Sequence, residues 1–401
     1  MSVARGEAIG SSAANREERR AAAVACGAHA LHDGYTDLIL VMLPIWQAEF
    51  GLGYAELGLL RGLFAGTMAT FQIPSGLIAE RLGAPVVLAL GTALAGTGYC
   101  LAGASAGFAL LLVALVIGGL GASPQHPLAS ALMARAFAGV RSMKALGTYN
   151  FAGDIGKMTV PAFASLLLVV LPWRPVLGLI GACGLVAALA IYLLMPRYGV
   201  ERAMAVQDPA ASTAVPGASR FAFPVLLSIG VLDSATRMGF LLFLPFVLSA
   251  KGASLPTVGL ALTLVFAGGA AGKLVCAFIG ARIGAIATVW LTEGLTAALI
   301  VALLPLPLEA ALVLLPVIGI ALNGTSSVLY GSVPDLVSPE RRARAFSIFY
   351  TGTIGAGALA PALYGIAGDL LGVPGALLVV ASVVTLTLPL SLALRPVLAG
   401  R

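Results

Sequence analysis

His29, Asp33 and Asp37 follow one another at intervals of four residues in HALHDGYTDLILVMLPIW, so a helix places all three on one face. The run after Asp37, LILVMLPIW, carries no charge. A carboxylate in such surroundings is costly and persists where it lines a polar path or meets a partner. It can also take up and release a proton, which makes Asp33 and Asp37 candidate proton carriers with His29 beside them. The alternative is a structural acid bonded to a neighbouring helix. His32 falls on another face. The third histidine, His126, stands in PQHP, where Pro124 and Pro127 loosen the backbone. His126, Asp33 and His29 could relay protons. They could equally hold a divalent transition ion, since imidazole and carboxylate suit such ions, but their spacing matches no defined metal motif and no metal ligand set is assigned.

Two pairs of opposite charge also stand at helical spacing, Asp154 with Lys157 and Asp233 with Arg237. Each pair can neutralise itself. In a functional role, a substrate or proton competes for one member. Arg237 offers a planar fork to a carboxylate or phosphonate, and Lys157 adds a point charge. Tyr35, Tyr149, Asn150 and Asn323 are candidates to orient a bound molecule.

These residues need elements to hold them, and composition says which. Of 401 residues, 59% are hydrophobic and 10% charged, against about 25% charged in a soluble domain. Lipid is therefore the expected solvent for most of the chain. A membrane helix takes about 20 apolar residues. Runs of that kind lie near 24–47, 57–79, 85–105, 108–132, 145–171, 174–195, 221–248, 257–280, 286–305, 309–332, 345–368 and 372–394. The expected fold is an all-α membrane protein with twelve transmembrane helices. A six-helix half over 24–195 and another over 221–401 flank a polar cytoplasmic linker, 196–220. Residues 1–23 are polar, lack the apolar stretch of a signal peptide, and read as a disordered cytoplasmic tail. Lys and Arg gather in the connections after even-numbered spans, including Arg81, Arg141, Lys144, Arg282 and Arg344, while the other connections hold little beyond Arg174 and Lys251. That asymmetry puts both termini in the cytoplasm. It also accounts for the net charge of +6 as a topology signal, so no nucleic-acid partner is expected. Cys26, Cys100, Cys183 and Cys276 each sit in an apolar segment and read as packing residues.

The halves repeat. HDGYTD (32–37) aligns with LDSATR (232–237), pairing Asp33 with Asp233 and Asp37 with Arg237. ALGTYNFAGDIGKMTVPA (145–162) aligns with AFSIFYTGTIGAGALAPA (345–362) at the same offset, and ERLGA (80–84) with ARIGA (281–285). Parallel repeats of this kind build transporters with the site near the bilayer midplane.

GLIAERLGA, residues 76–84, resembles the G-x-x-x-[DE]-R-x-G signature of the major facilitator superfamily, with Gly76, Glu80, Arg81 and Gly83 on its positions and Arg282 in the second copy. Gly76 would let helices approach closely, and Arg81 would bond helix ends in one conformation. Within that superfamily HALHDGYTDLILVMLPIWQAEFGL, GASPQHPLAS and GDIGKMTVP are similar to the fosmidomycin-resistance group of efflux transporters. Asp154 and Lys157 depart from that group's pattern. The resemblance implies a non-enzymatic antiporter of the bacterial inner membrane. It would export a small organic, anionic compound by alternating access, driven by the proton gradient without a cofactor, as a monomer in the bilayer. Glu293 would be peripheral, because the ninth helix lies outside the cavity in this superfamily. Uptake of an organic acid and export of a divalent metal are the rival expectations. No G-x-x-x-x-G-K-[ST] loop is present, so ATP hydrolysis by this chain is not expected.

Overall fold

A computed structural model describes residues 2–137, 140–196, 221–338 and 342–398, without the side chains of residues 2–15, 134, 135, 140, 142, 143, 277, 343, 397 and 398. The expected linker, apart from its first residue, lies outside the described residues. Among the described residues there is no strand. The helices are α1 (Ser2–Phe50), α2 (Tyr54–Thr70), α3 (Gln72–Leu82), α4 (Ala84–Gly103), α5 (Phe108–Ala122), α6 (Gln125–Ala136), α7 (Val140–Val170), α8 (Trp173–Leu194), α9 (Ala222–Ala250), α10 (Leu255–Ile283), α11 (Ala285–Leu303), α12 (Leu308–Leu336), α13 (Arg342–Thr385), α14 (Thr387–Leu392) and α15 (Arg395–Leu398).

Nine stretches among the described residues are helical, long and apolar enough to cross a membrane. One of them, Arg344–Leu392, holds two of the expected spans, which meet at Gly372. Gly372 has a left-handed backbone (φ +71°) that ends one helix and starts the next. The other two expected spans are α1, diluted by its ionisable residues, and the α2–α3 pair, each piece of which is too short alone. The α2–α3 break at Phe71 has a cause in Pro74, which cannot donate a backbone hydrogen bond to the preceding turn. Pro124 breaks the fourth span in the same way, so that α6 opens at Gln125 and His126 sits in its first turn.

Helix α1 corrects the expectation of a disordered tail, because it runs unbroken from Ser2. SSAANREERRAAA is rich in Ala, Glu and Arg, the strong helix formers. Arg141 also pairs with Glu18, and Arg20 donates to the Leu193 carbonyl at 2.9 Å.

The chain packs as two compact units. The first holds α1 as far as Asp37, residues 67–160, and α8. Its core joins Ala25 and Ala28 of α1, Leu88 and Ala89 of α4, Ala129, Leu132 and Met133 of α6, Tyr149 of α7 and Ile191 of α8. The second holds residues 38–66, 161–170, and α9 onward. Its core joins Leu226 and Ile229 of α9, Val289 of α11, Leu329 and Val333 of α12, and Phe349 of α13. Here the Asp369 carboxylate accepts from the first amides of α2, Tyr54 N at 2.6 Å and Ala55 N at 3.0 Å. Large apolar side chains such as Val313 and Leu370 are more than three-quarters exposed (79% and 78%), as lipid-facing positions require.

Candidate functional site

In the first unit, α1 presents His29, Asp33 and Asp37 as expected, all buried (3%, 5% and 4% exposed). Burial of Asp33 is made possible by α7. A side chain at Gly153 would place its Cβ 2.6 Å from Asp33 Oδ2, and one at Gly156 would run into the Ala30 backbone. The glycines of GDIGK therefore let α7 lie directly against the α1 face that carries the acids. That contact brings Lys157 to Asp33, Nζ to Oδ2 at 3.1 Å. Asp154, its expected partner at i−3, is further from it at 3.8 Å. Asp37 acts on the same ammonium by charge. One permanent cation thus serves three carboxylates.

The other Asp33 oxygen faces the histidines. His29 Nε2 lies 3.4 Å and His126 Nε2 3.7 Å from Oδ1. The two rings meet edge to face, with centroids 5.2 Å apart. His29 Nδ1 is 2.8 Å from the Tyr149 carbonyl, which can only accept, so Nδ1 carries a hydrogen. Tyr149 also stacks on the ring at 4.0 Å and donates its hydroxyl to the Gln125 carbonyl at 3.3 Å. Nε2 is thereby aimed at Asp33, and a second proton on the ring is what would turn that contact into a charged hydrogen bond. The cluster is closed on the His29 side and open on the other, where the side chains of His126 and Lys157 are 42% and 30% exposed. The three ligand atoms of His29, Asp33 and His126 also fall within 4.8 Å of one another, a spacing a transition ion can use. Such an ion would share Asp33 with the Lys157 ammonium.

His32 is buried apart from this cluster. Thr92 gives its hydroxyl hydrogen to the Leu88 carbonyl, so His32 Nε2 donates to Thr92 at 2.9 Å. Tyr35, expected at the substrate, is instead a fully buried packing residue. Its hydroxyl donates to the Ile180 carbonyl at 2.5 Å, and its own carbonyl accepts from Tyr99. Tyr149 supports His29 rather than facing a ligand directly, and Asn150 is exposed on α7. In the second unit, Asn323 donates to the Gly319 carbonyl at 3.1 Å and packs on Gly269.

The second unit holds the Asp233–Arg237 pair, Nη2 to Oδ2 at 2.7 Å, with Asp233 4% exposed. Glu293 does not fit its peripheral expectation. It is 2% exposed, and the charges of Asp233 and Arg237 act on it. The signal available in the sequence is a lone acid in ATVWLTEGLTAALI. The position of its helix argues against it there, yet α11 packs against both α12 and α13.

The loop residues stand as turn chemistry. Gly83 (φ +86°) and Gly284 (φ +83°) both join helices through left-handed backbone, which explains the repeated glycine. Glu80, Arg81 and Arg282 are exposed. Gly76 meets nothing within 4 Å, so close helix approach is not its reason. Arg61 is buried, with Nη2 3.9 Å from Met238 Sδ.

The fold matches solved transporters along nearly the whole chain. A bacterial homologue of the human lysosomal transporter Spinster, crystallised in an inward-facing, unoccupied conformation, superposes with a TM-score of 0.77 at 19% identity, covering 95% of this chain and 98% of that one. A point mutant of the nucleoside transporter NupG gives 0.75 at 16%, covering 94% and 99%. Among curated relatives, a probable L-galactonate transporter of Escherichia coli is 23% identical over 263 residues, 62% of this chain and 56% of that one. The Escherichia coli fosmidomycin resistance protein is 27% identical over 140 residues, 35% and 34%. The multidrug resistance protein MdtL of Shewanella oneidensis is 25% identical over 187 residues, 47% and 46%. These matches span between a third and just over half of the relatives' lengths. The family model of the Major Facilitator Superfamily matches residues 25–224 and again 226–400, so this multi-pass membrane chain belongs to that superfamily, whose members are transporters rather than enzymes.

Proposed function

We propose that this chain is a proton-coupled transporter of a small organic anion, working by alternating access with both termini in the cytoplasm of a bacterial inner membrane. The observation that carries the reading is the Lys157–Asp33 contact at 3.1 Å, with His29 and His126 on the other oxygen of the same acid. A proton delivered through His126 to Asp33 removes the nearest of the three carboxylates around Lys157, and the ammonium so relieved can then hold an anion. Asp33 ionised does the opposite, since it occupies the ammonium and repels the anion. Proton and anion therefore favour one another's binding, which by linkage is a coupling of about 5- to 150-fold. Arg237, paired with Asp233 at 2.7 Å, obeys the same rule.

That rule supports movement of proton and anion together, as in uptake of an organic acid, and the L-galactonate relative, a carboxylate carrier by name, agrees with it. The exchange mode expected from the sequence is the second reading, favoured by the relatives named for fosmidomycin and multidrug resistance. Proteoliposomes with a trapped pH-sensitive dye decide between them. An imposed L-galactonate or phosphonate gradient that carries protons in its own direction supports cotransport. Protons moving against the anion establish exchange. Substrate movement with no proton flux removes proton coupling altogether.

A further inference from the structure

We propose that His29, Asp33 and His126 form a binding site for one divalent transition ion of the zinc class, and that the ion arrests transport by taking the oxygen that the proton would use. The arrest rests on the functional reading above; the ion site does not.

The ligand set comes from convergence. The chain has three histidines. His32 is spent on Thr92. The other two, one turn before Asp33 on α1 and in the first turn of α6, bring Nε2 to the same carboxylate oxygen, Oδ1. His29 is preset as a ligand. Its Nδ1 carries the hydrogen, because the Tyr149 carbonyl 2.8 Å away only accepts. On the neutral ring Nε2 is therefore a lone pair. The residue is 3% exposed, and Nε2 finds no hydrogen-bond partner among the described residues. At 3.4 Å it faces Oδ1, a second acceptor. Between two buried acceptors only a cation, a proton or a metal ion, makes a favourable contact. A histidine that gives its far N–H to a carbonyl is also the usual support of a metal-bound imidazole, and stacking on Tyr149 at 4.0 Å fixes the ring plane.

The spacing agrees. With bonds of about 2.1 Å, two ligands of a tetrahedral ion stand about 3.4 Å apart. His29 meets that distance at 3.4 Å, and His126 comes near it at 3.7 Å. All three ligand atoms lie within 4.8 Å of one another. The remaining closure falls to His126, whose side chain is 42% exposed on the open side of the cluster. That side leaves a fourth position to water. Two imidazoles with one carboxylate favour zinc, cobalt or nickel over magnesium and calcium, which take oxygen ligands. The Lys157 ammonium bears on the other oxygen, Oδ2, at 3.1 Å, so it leaves Oδ1 to the ion while repelling it. With the ion on Oδ1, Asp33 stays ionised and Lys157 keeps its nearest carboxylate.

Cobalt(II) is the probe, added to the full chain in lipid nanodiscs without a histidine tag. Its visible absorption should saturate at one ion per chain and be displaced by zinc but not by magnesium. His29→Ala and His126→Ala should each weaken binding about tenfold or more, and Lys157→Gln should tighten it. Zinc-edge X-ray absorption of the wild type reads the ligands without any variant, and should show two imidazoles and carboxylate oxygen at about 2.0–2.2 Å. The site is overturned by the lack of a saturable cobalt band, by displacement with magnesium, or by unchanged affinity in both histidine variants. Should those variants not fold, sulfur or fewer than two imidazoles around zinc in the wild type overturns it as well. Proton movement driven by L-galactonate in proteoliposomes tests the arrest separately, and saturating zinc should abolish it. Movement that zinc leaves unchanged overturns the arrest, while the cobalt band keeps the ion site standing. No proton movement with L-galactonate or a simple phosphonate sinks the functional reading for those anions, and the arrest with it, but not the ion site.

Discussion

The α1 cluster and the α9 cluster descend from the same repeat position, Asp33 aligning with Asp233, yet they solve the same electrostatic problem differently. At Asp33 the cation comes from another helix, Lys157 of α7, and titratable rings from α1 and α6 face the remaining oxygen. At Asp233 the cation is its own neighbour one turn on, Arg237, and the additional titratable group is a carboxyl from α11. The first arrangement has an accessible edge at His126 and Lys157, while in the second both acids are sealed. The lesson is that a buried acid needs a cation, and that duplicated helices can acquire one from different neighbours.

The comparison is broken most directly by Asp33→Asn. With Lys157 permanently without its nearest carboxylate, the expected outcome is loss of the roughly 5- to 150-fold gain in anion affinity on acidification. Binding measured across pH checks this, and an undiminished gain would assign the coupling to the Asp233–Arg237 pair instead. Next in size is Gly156→Ala, whose Cβ meets the Ala30 backbone. Overpacking of this sort costs about 1–3 kcal/mol, so thermal unfolding in detergent should fall clearly, whereas Gly357→Ala in the second unit, with its nearest neighbour the Ser234 hydroxyl at 3.1 Å, should cost less. Lys157→Gln and Arg237→Gln, assayed side by side with anionic and neutral compounds, sharpen the contrast between units. Both should lose anions first, and an equal loss of neutral compounds in Arg237→Gln would mark Asp233–Arg237 as a structural pair. The smallest expected effect is that of Tyr149→Phe. It removes one hydrogen bond of 3.3 Å while leaving the stacking on His29, for about 0.5–1.5 kcal/mol of stability and little change in coupling. Calorimetric titration with zinc addresses the rival use of the first cluster, where binding lost in His126→Ala would show that His29, Asp33 and His126 act as ligands.

What can be read from the sequence is whatever periodicity and composition encode within one helix. The spans follow from apolar runs, and the common face of His29, Asp33 and Asp37 follows from their spacing. Contacts between helices are not encoded that way. Nothing local says that Lys157 prefers Asp33 to Asp154, because that choice depends on α7 reaching α1 through Gly153 and Gly156. Glu293 escapes sequence reasoning for the same reason, since it is buried in a helix packed against α12 and α13 and the charges acting on it, Asp233 and Arg237, come from another helix. Tyr35 offers a polar end that could serve a ligand, and only its distance to the Ile180 carbonyl shows it already spent. The N-terminal segment misleads differently. Its polarity suggests disorder, although its Ala, Glu and Arg residues favour a helix.

Helix α1 carries Asp33 and continues without a break back to Ser2. At 1.5 Å per residue its 49 residues amount to about 74 Å, more than twice a hydrocarbon core of about 30 Å. The helix that holds the central acid is therefore also a lever arm. Any tilt at Asp33 is magnified towards its N-terminal end, and a spin label or fluorophore attached there would report the stroke of the transport cycle from a point far from the chemistry.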